Sequence, residues 1–307
     1  MGAYTWAIFG SPQAGKFISE SIAEFPLGGG WFFIFLLLAV GVGAMAGILL
    51  GLPVLRLRGD YLAVVTLGFG EVIRVLANNL DKPINFTNGP QGITPISRPP
   101  LFFQPVLQLM GIDAAPSVLY PLYFYFIVLV IVLVVILANR RLEDSHIGRA
   151  WEAIREDEVA AQAMGVPLVR MKLLAFACGA SFAGAMGAVF SAKQVFINPE
   201  SFTFLESIGV LAMVILGGMG SIPGAILGAS VVTVLNLQVL KGLSLWLNEL
   251  RNAGTVILGY NLAHLPTQLE PAKYERMVFG VILILMMIFR PQGILPARRR
   301  ERELGDK

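Results

Sequence analysis

Two charged residues inside an apolar stretch are the first candidates for chemistry. Glu71 and Arg74 lie three residues apart, so on a helix they share one face and can form an ion pair. Ionisable side chains at membrane depth are costly, and they usually face a cavity or a charged partner. The pair predicts either a polar translocation path, to which Thr66 on the same segment is also assigned, or side chains that extend to the membrane surface.

The chain carries no pattern that is typical of a catalytic or metal site. Residues 10–17 match the G-x-x-x-x-G-K part of a phosphate-binding loop, but Phe17 replaces the hydroxyl residue that would bind Mg²⁺. With one cysteine and two histidines, no Cys/His cluster at zinc spacing can form. We therefore expect no enzyme activity, no cofactor and no nucleic-acid partner, and any energy for transport must come from a partner protein or an ion gradient.

Residues 149–167 have the pattern of a short amphipathic helix outside the membrane. Gly165 and Pro167 predict where this helix ends. A helix of this kind can lie on the membrane surface, pack against its own helix bundle, or dock into a groove on a soluble partner. Its loosely apolar face is formed by Ile154, Val159, Ala163 and Met164.

Composition defines the class of protein that must position these residues. Hydrophobic residues make up 56% of the 307-residue chain and charged residues only 14%. Soluble domains average about 25% charged residues, so this chain lacks the polar surface that water requires. The sequence predicts an all-α, polytopic integral membrane protein with a single transmembrane domain over residues 1–307.

Segments of about 20 apolar residues identify the membrane spans. About seven are predicted, and the second and fifth are interrupted by glycines, which suggests broken or re-entrant helices beside a cavity. The predicted spans are Trp31–Leu55, Tyr61–Ala77, Ser117–Ala138, Lys172–Ala192, Leu205–Gly217, Ile222–Leu240 and Tyr274–Phe289.

The distribution of Lys and Arg predicts the orientation of these spans. Alternating the spans places the loop 139–171 and the basic C-terminal tail 290–307 on one side, and this side is the more basic. The positive-inside rule makes it cytoplasmic. Residues 1–30 then lie outside without an export signal, and the apolar opening Gly2–Gly10 resembles the outer end of a helix that begins upstream. We therefore expect further N-terminal helices to precede this chain.

Small residues recur inside the spans at intervals of three to five residues. Such positions let helix backbones approach closely in lipid, so they predict a tightly packed bundle rather than a site. The six glycines in question are Gly41, Gly43, Gly47, Gly179, Gly184 and Gly187.

The string REDEVAAQAMGV at 155–166 resembles the cytoplasmic loop through which permeases of ATP-binding cassette (ABC) importers dock onto their ATPase subunits. Val159 stands where the general motif has its first Glu, and the branched-chain amino-acid group is similar in this respect. Four further stretches agree with that group: GLPVLRLRGDYLAVVTLGFGEVIRVL (51–76), NGPQGI (88–93), VILGGMGSIPGAILGA (214–229) and FRPQGIL (289–295). The chain is identified as resembling the branched-chain amino-acid ABC transporter permease family, of the LivM type.

The resemblance implies a permease of the bacterial inner membrane with a cytoplasmic C-terminus. Its implied partners are two ABC ATPase subunits, a second homologous permease and a periplasmic substrate-binding protein. The implied substrates are branched-chain amino acids, with urea, short amides and aromatic acids as alternatives among relatives. A carrier of small hydrophobic solutes driven by an ion gradient is the rival interpretation, and it would require carboxylates at mid-membrane depth. The coupling residues implied by the motif are Arg155, Glu156, Asp157, Glu158, Ala160, Ala161 and Gly165.

Overall fold

The computed structural model describes residues 1–12, 27–55, 57, 60–81, 85–101, 104 and 115–252, with short pieces at 256–257, 260–261, 274, 277, 280–281, 284–285, 288–289 and 293–295. Within these residues the chain is helical, apart from loops and one antiparallel pair of two-residue strands, Val256–Ile257 and Tyr260–Asn261. The predicted all-α class is confirmed. The chain divides into two compact units, residues 1–204 and residues 205–307.

The first unit contains helices α1 (Gly2–Phe9), α2 (Phe32–Val54), α3 (Asp60–Asn79), α4 (Pro116–Glu143), α5 (His146–Glu156), α6 (Glu158–Ala163) and α7 (Leu168–Gln194). Helix α8 (Phe204–Gly217) begins at the boundary between the units. The second unit continues with α9 (Ile222–Val234), a π-helical turn (Leu235–Leu240) and α10 (Lys241–Asn252).

Five helical stretches in the described part of the chain are long and apolar enough to cross a membrane: Gly29–Val54, Pro116–Glu143, Leu168–Gln194, Pro199–Gly217 and Ile222–Trp246. They correspond to five of the roughly seven predicted spans. The predicted span Tyr61–Ala77 forms α3, a helix of 20 residues that is not among the five. Helices α3 and α8 are each continuous, so of the two predicted alternatives, broken or re-entrant, the broken helix is wrong for both. The re-entrant alternative stays a prediction. The predicted span Tyr274–Phe289 and the tail 290–307 lie largely outside the described residues.

Helices α2 and α7 pack closely because small residues face each other across their contact. A Cβ atom added at Gly43 or Gly47 of α2 would collide with the backbone of α7, and one at Gly184 of α7 would collide with the backbone of α2. Gly187 makes the equivalent approach to α1. Four of the six glycines therefore have the predicted packing role, whereas Gly41 and Gly179 face open space.

Helix α1 is held in the same core by an aromatic cluster. Trp6 is fully buried and makes an edge-to-face contact with Phe32 at a centroid distance of 5.5 Å. Its indole Nε1 donates a hydrogen bond of 3.0 Å to the carbonyl of Ser97. A buried indole nitrogen needs a hydrogen-bond acceptor, and the carbonyl of Ser97 supplies it. The same bond attaches the loop between α3 and α4 to α1.

In the second unit, glycines form a tight turn between α8 and α9. Gly218 and Gly220 have positive φ angles of 118° and 84°, which favour glycine. Ser221 caps α9 by accepting a hydrogen bond of 3.1 Å from the amide of Gly224. The amides of Ile294 and Leu295 donate to the last carbonyls of α8 at 3.0 and 2.9 Å, so these two residues of the FRPQGIL motif pack against this turn.

Candidate functional site: a coupling segment, a cavity and an ion-pair cluster

The loop 139–171, which the resemblance predicts to couple to an ATPase and which we call the coupling segment, contains two short helices rather than the single one predicted. Asp157 has extended backbone angles, with φ −153° and ψ 115°, and it separates α5 from α6. Its Oδ1 accepts hydrogen bonds from the amides of Val159 and Ala160 at 2.7 and 3.1 Å. Ser145 caps α5 in the same way. Asp157 therefore begins a new helix, because a capping carboxylate satisfies amide groups that no helical carbonyl reaches.

Helix α6 ends at a glycine with a positive φ angle. Gly165 has φ +85°, and its amide donates to the carbonyl of Gln162 at 3.0 Å. The amide of Val166 donates to the carbonyl of Ala161, also at 3.0 Å. These two bonds form a Schellman motif, which terminates helices at a left-handed residue. The predicted helix end at Gly165 is confirmed.

The two faces of α6 differ in what they contact. Ala161 is 4% exposed and faces the protein itself, and Glu158 forms an ion pair with Lys172 of α7 at 2.6 Å. Val159 and Met164 are 69% and 85% exposed. Val159 of α6 and Met164, the residue after its last turn, are thus exposed apolar side chains next to the charges predicted to couple. The exposed members of that predicted set are Arg155, Glu156, Asp157, Ala160 and Gly165.

Helix α5 is also attached to the start of α7. The indole Nε1 of Trp151 donates a hydrogen bond of 2.8 Å to the carbonyl of Met171. Lys172, which pairs with Glu158, is the next residue along the chain. Both short helices are therefore connected to the first turns of α7, so a displacement of the coupling segment would act on that helix.

A cavity of about 500 Å³ lies between α2, α3 and α7. This volume falls within the range of small-molecule pockets, about 300–1,000 Å³. Its lining is apolar apart from the hydroxyl of Thr66, which donates to the carbonyl of Leu62 at 2.9 Å. The structure therefore brings Thr66 to a cavity. Other lining residues are Gly47, Leu50, Phe69, Phe176 and Gly179.

A second cavity of about 280 Å³ connects this region to the coupling segment. Ala175 and Phe176 line both cavities, and Glu158 and Lys172 line the second. The Glu158–Lys172 ion pair therefore lies at the end of α7 that adjoins α6, one turn before the residues shared by the two cavities. We refer to the larger space as the α2–α3–α7 cavity.

Glu71 and Arg74 form the ion pair that their spacing predicts. The Nε of Arg74 donates to both carboxylate oxygens of Glu71 at 3.0 and 3.1 Å, and its Nη2 lies 2.5 Å from Oε1. A third residue joins them, because Nη1 of Arg74 contacts Oε1 of Glu200 at 2.5 Å. Asn78 donates to the same oxygen at 3.0 Å. The side chains of Arg74, Glu71 and Glu200 are 20%, 39% and 50% exposed.

The NGPQGI motif (88–93) helps to hold this end of α3. Asn88, Gly89 and Gly92 all have positive φ angles, and the side chain of Asn88 donates to the carbonyl of Gly92 at 2.8 Å. Thr87 donates to the carbonyl of Ala77 at 2.6 Å. The loop then pairs with the segment after α7 through an antiparallel bridge between Ile93 and Ile197.

Sequence reasoning missed four residues of these sites. Glu200 lies 126 positions from Arg74, and no local spacing connects them. Lys172 was placed at the start of a span, without its partner Glu158. Val159 and Met164 were assigned to the apolar face but not to the coupling set.

The apolar helices define a multi-pass α-helical membrane protein. The chain belongs to the family described as branched-chain amino acid transport system / permease component, whose model matches residues 1–287.

Individual relatives agree with this assignment. The chain is 38% identical over 275 residues to the high-affinity branched-chain amino acid transport system permease protein LivM of Salmonella typhimurium, which covers 86% of this chain and 57% of that protein. It is 27% identical to the probable LivM of Methanocaldococcus jannaschii, over 95% of this chain and 76% of that protein. LivH of Salmonella typhimurium matches at 30% identity over 49% of this chain and 40% of its own length. No solved structure matches the chain.

Proposed function

We propose that the chain is a membrane-spanning permease subunit of an ABC importer for branched-chain amino acids. The observation that carries the proposal is the family match over residues 1–287. The matched LivM proteins are named for high-affinity transport of these amino acids, and the chain spans about 57% of their length. In this assignment the chain catalyses no bond chemistry, and ATP is hydrolysed by partner subunits.

The proposed complex contains two ABC ATPases, a second homologous permease and a periplasmic binding protein in a bacterial inner membrane. The basic loop 139–171 and the C-terminus lie on the cytoplasmic side, where the ATPases bind. The binding protein delivers substrate to the opposite side. This arrangement favours the importer over the ion-driven carrier, because the exposed apolar face of α6 would have no partner in a carrier.

The coupling segment is proposed to dock through Val159 and Met164. Both side chains are exposed, whereas Ala161 and Glu158 hold α6 against its own protein. An apolar helix face that enters a groove on a partner is a common mode of recognition. The translocation path is proposed to run through the α2–α3–α7 cavity, past Thr66 and towards the Glu71–Arg74 pair.

Replacing Met164 by Asp tests the docking role. Burial of a Met side chain contributes about 1.5–3 kcal/mol, so its loss should weaken ATPase attachment by roughly ten- to hundredfold. The measurements are co-purification of the ATPase subunits and uptake of labelled leucine, isoleucine and valine, with urea and short amides as competitors. Met164→Leu is the matched control and should retain both activities. Wild-type co-purification and uptake by Met164→Asp would refute this docking surface.

A further inference from the structure

The α2–α3–α7 cavity lies near the middle of one of the helices that form it. Gly179, which lines the cavity, is 11 residues from the start of α7 and 15 residues from its end. On a helix these separations are about 17 and 23 Å. Because the hydrocarbon core of a membrane is about 30 Å thick, the cavity lies well away from both ends of this span.

The lining of the cavity is suited to apolar groups. Among the described residues that line it, none is charged. Thr66 supplies a hydroxyl, which donates to the carbonyl of Leu62 on its own helix. The ammonium and carboxylate of an amino acid would lose their hydration here without gaining partners of opposite charge, which is costly. The lining therefore fits the side chain of an apolar amino acid, while the charged groups must lie beyond it.

The side chains around the cavity do not fill it. Phe69 of α3 and Phe176 of α7 line the cavity but are only half-buried, and Gly179 is exposed. Removing apolar surface from water is favourable and requires no particular direction of approach. An aliphatic group that entered the cavity would therefore be stabilised by contact with these residues.

Two glycines line the cavity, and they differ in what surrounds them. A Cβ added at Gly47 of α2 would meet the carbonyl oxygen of Phe176 at 2.5 Å and the Cβ of Ala180 at 2.7 Å, so Gly47 is required for helix packing. A Cβ added at Gly179 would meet no atom within 4 Å. Gly179 is therefore not required for packing, and a side chain at this position would take up space in the cavity.

We propose that the α2–α3–α7 cavity receives the aliphatic side chain of the transported amino acid, and that Gly179 determines the largest side chain that fits. Phe69 limits the same space from the wall formed by α3. The inference rests on the proposed transport function, because it assigns one part of the substrate to a cavity on the proposed path.

A larger residue at position 179 should change which amino acids are imported. Gly179→Val fills part of the cavity, so leucine uptake should fall more than uptake of valine, whose side chain is one methylene shorter. One methylene in an apolar pocket changes selectivity by about 10- to 200-fold, so the ratio of leucine to valine uptake should fall about tenfold or more. A variant that was only less stable would lower both rates by the same factor and leave the ratio unchanged.

The experiment measures uptake of labelled leucine and valine by the reconstituted complex with its own binding protein. The same binding protein delivers both amino acids in every assay, so a changed ratio comes from the permease. Gly41→Val is the matched control. Gly41 is also a helical glycine whose added Cβ would meet no atom within 4 Å, but it is not among the described residues that line the cavity. Phe69→Ala, combined with Gly179→Val, removes a ring from the wall formed by α3.

We expect a lower leucine-to-valine ratio in Gly179→Val, partial recovery of the ratio in the double variant and no change in Gly41→Val. An unchanged ratio in Gly179→Val, the same decrease in Gly41→Val, or no recovery in the double variant would overturn the proposal. If Gly179→Val does not reach the membrane, Gly179→Ala adds a single methyl group and should lower the ratio by a smaller factor; an unchanged ratio there would count equally against it.

Uptake by the wild-type complex tests the transport function separately. If the wild-type complex imported neither amino acid, the proposed function would be refuted and this inference with it. Normal wild-type uptake together with an unchanged ratio in the variants would refute the inference alone.

Discussion

Six glycines with similar spacing differ in what surrounds them. Gly184 has the backbone of α2 against it, whereas Gly41 faces open space, although both are helical glycines in apolar segments. Spacing predicts that small residues permit close packing, but the face on which each glycine lies depends on the rotation of its helix. That rotation is determined by tertiary contacts such as the burial of Trp6, which are not local in sequence.

Replacing Gly184 by Ala should destabilise the helix bundle. The added methyl would meet the backbone of α2 at Ala39 and Gly43, and forced overpacking costs about 1–3 kcal/mol. We expect a lower midpoint of thermal unfolding in detergent and less protein in the membrane. Gly41→Ala is the matched control and should be neutral or slightly stabilising, because Ala favours helix more than Gly does. Equal midpoints for the two variants would contradict this packing.

The contacts of charged residues also divide into those that sequence spacing predicts and those that it does not. The pairing of Glu71 with Arg74 follows from a spacing of three on a helix, and the structure confirms it. The contact of Arg74 with Glu200 could not be predicted, because 126 residues separate them and the path between them includes two membrane-length helices.

At the scale of the element, the helix predicted in the loop 139–171 was correct in position but not in form. Its amphipathic pattern continues through residues 149–164, which favours one helix. Asp157 interrupts it, since its carboxylate caps α6 and its extended backbone ends α5. An Asp within a helical pattern is compatible with either a mid-helix position or a cap, and the packing of Trp151 and Ala161 decides between them.

Gly165 is expected to act through its backbone rather than its small size. A Cβ there would meet nothing within 4 Å, but φ +85° is strained for most side chains. Gly165→Val should therefore misalign the end of α6 and reduce uptake severalfold, since strain of this kind costs about 1–3 kcal/mol. Gly165→Asn, with a side chain of similar size that tolerates positive φ, should stay close to wild type.

The comparison of these two variants separates two explanations for Gly165. If Gly165 must be small because a partner protein packs against it, Gly165→Val and Gly165→Asn should reduce co-purification of the ATPase to a similar extent. Membrane insertion, measured by the amount of protein in the membrane, should be unchanged in each because the site lies outside the spans.

At the scale of the whole molecule, apolar run length predicted the class of fold and five of the spans. Hydropathy indicates whether a segment can lie in lipid. Because lipid offers no hydrogen bonds to the backbone, an apolar segment that spans it must satisfy its own backbone groups, as a helix does. It does not report which helices touch. A cavity beside α3 could therefore be predicted, but not that α2 and α7 form its other walls or that it connects to α6. That connection depends on Lys172, which hydropathy places at the start of a span and which the structure pairs with Glu158.

The Glu158–Lys172 pair should transmit movement between the ATPase side and the cavity. The single reversals Glu158→Lys and Lys172→Glu place like charges at a contact of 2.6 Å, one turn from the residues that both cavities share. A charged hydrogen bond is worth about 1.5–3 kcal/mol, so each reversal should lower substrate-stimulated ATP hydrolysis and uptake by roughly ten- to hundredfold. The double reversal restores opposite charges and should recover most of the activity in the reconstituted complex.

The charge reversal Arg170→Glu serves as the control, because Arg170 is exposed two positions from Lys172. It changes the net charge of α7 as Lys172→Glu does, so its activity should stay near that of the wild type. Additive losses in the double reversal would mean that the two residues act separately, and the α6–α7 connection would then have no part in coupling. Recovery in the double reversal together with normal ATPase attachment in the single reversals would instead place the defect in transmission rather than in docking.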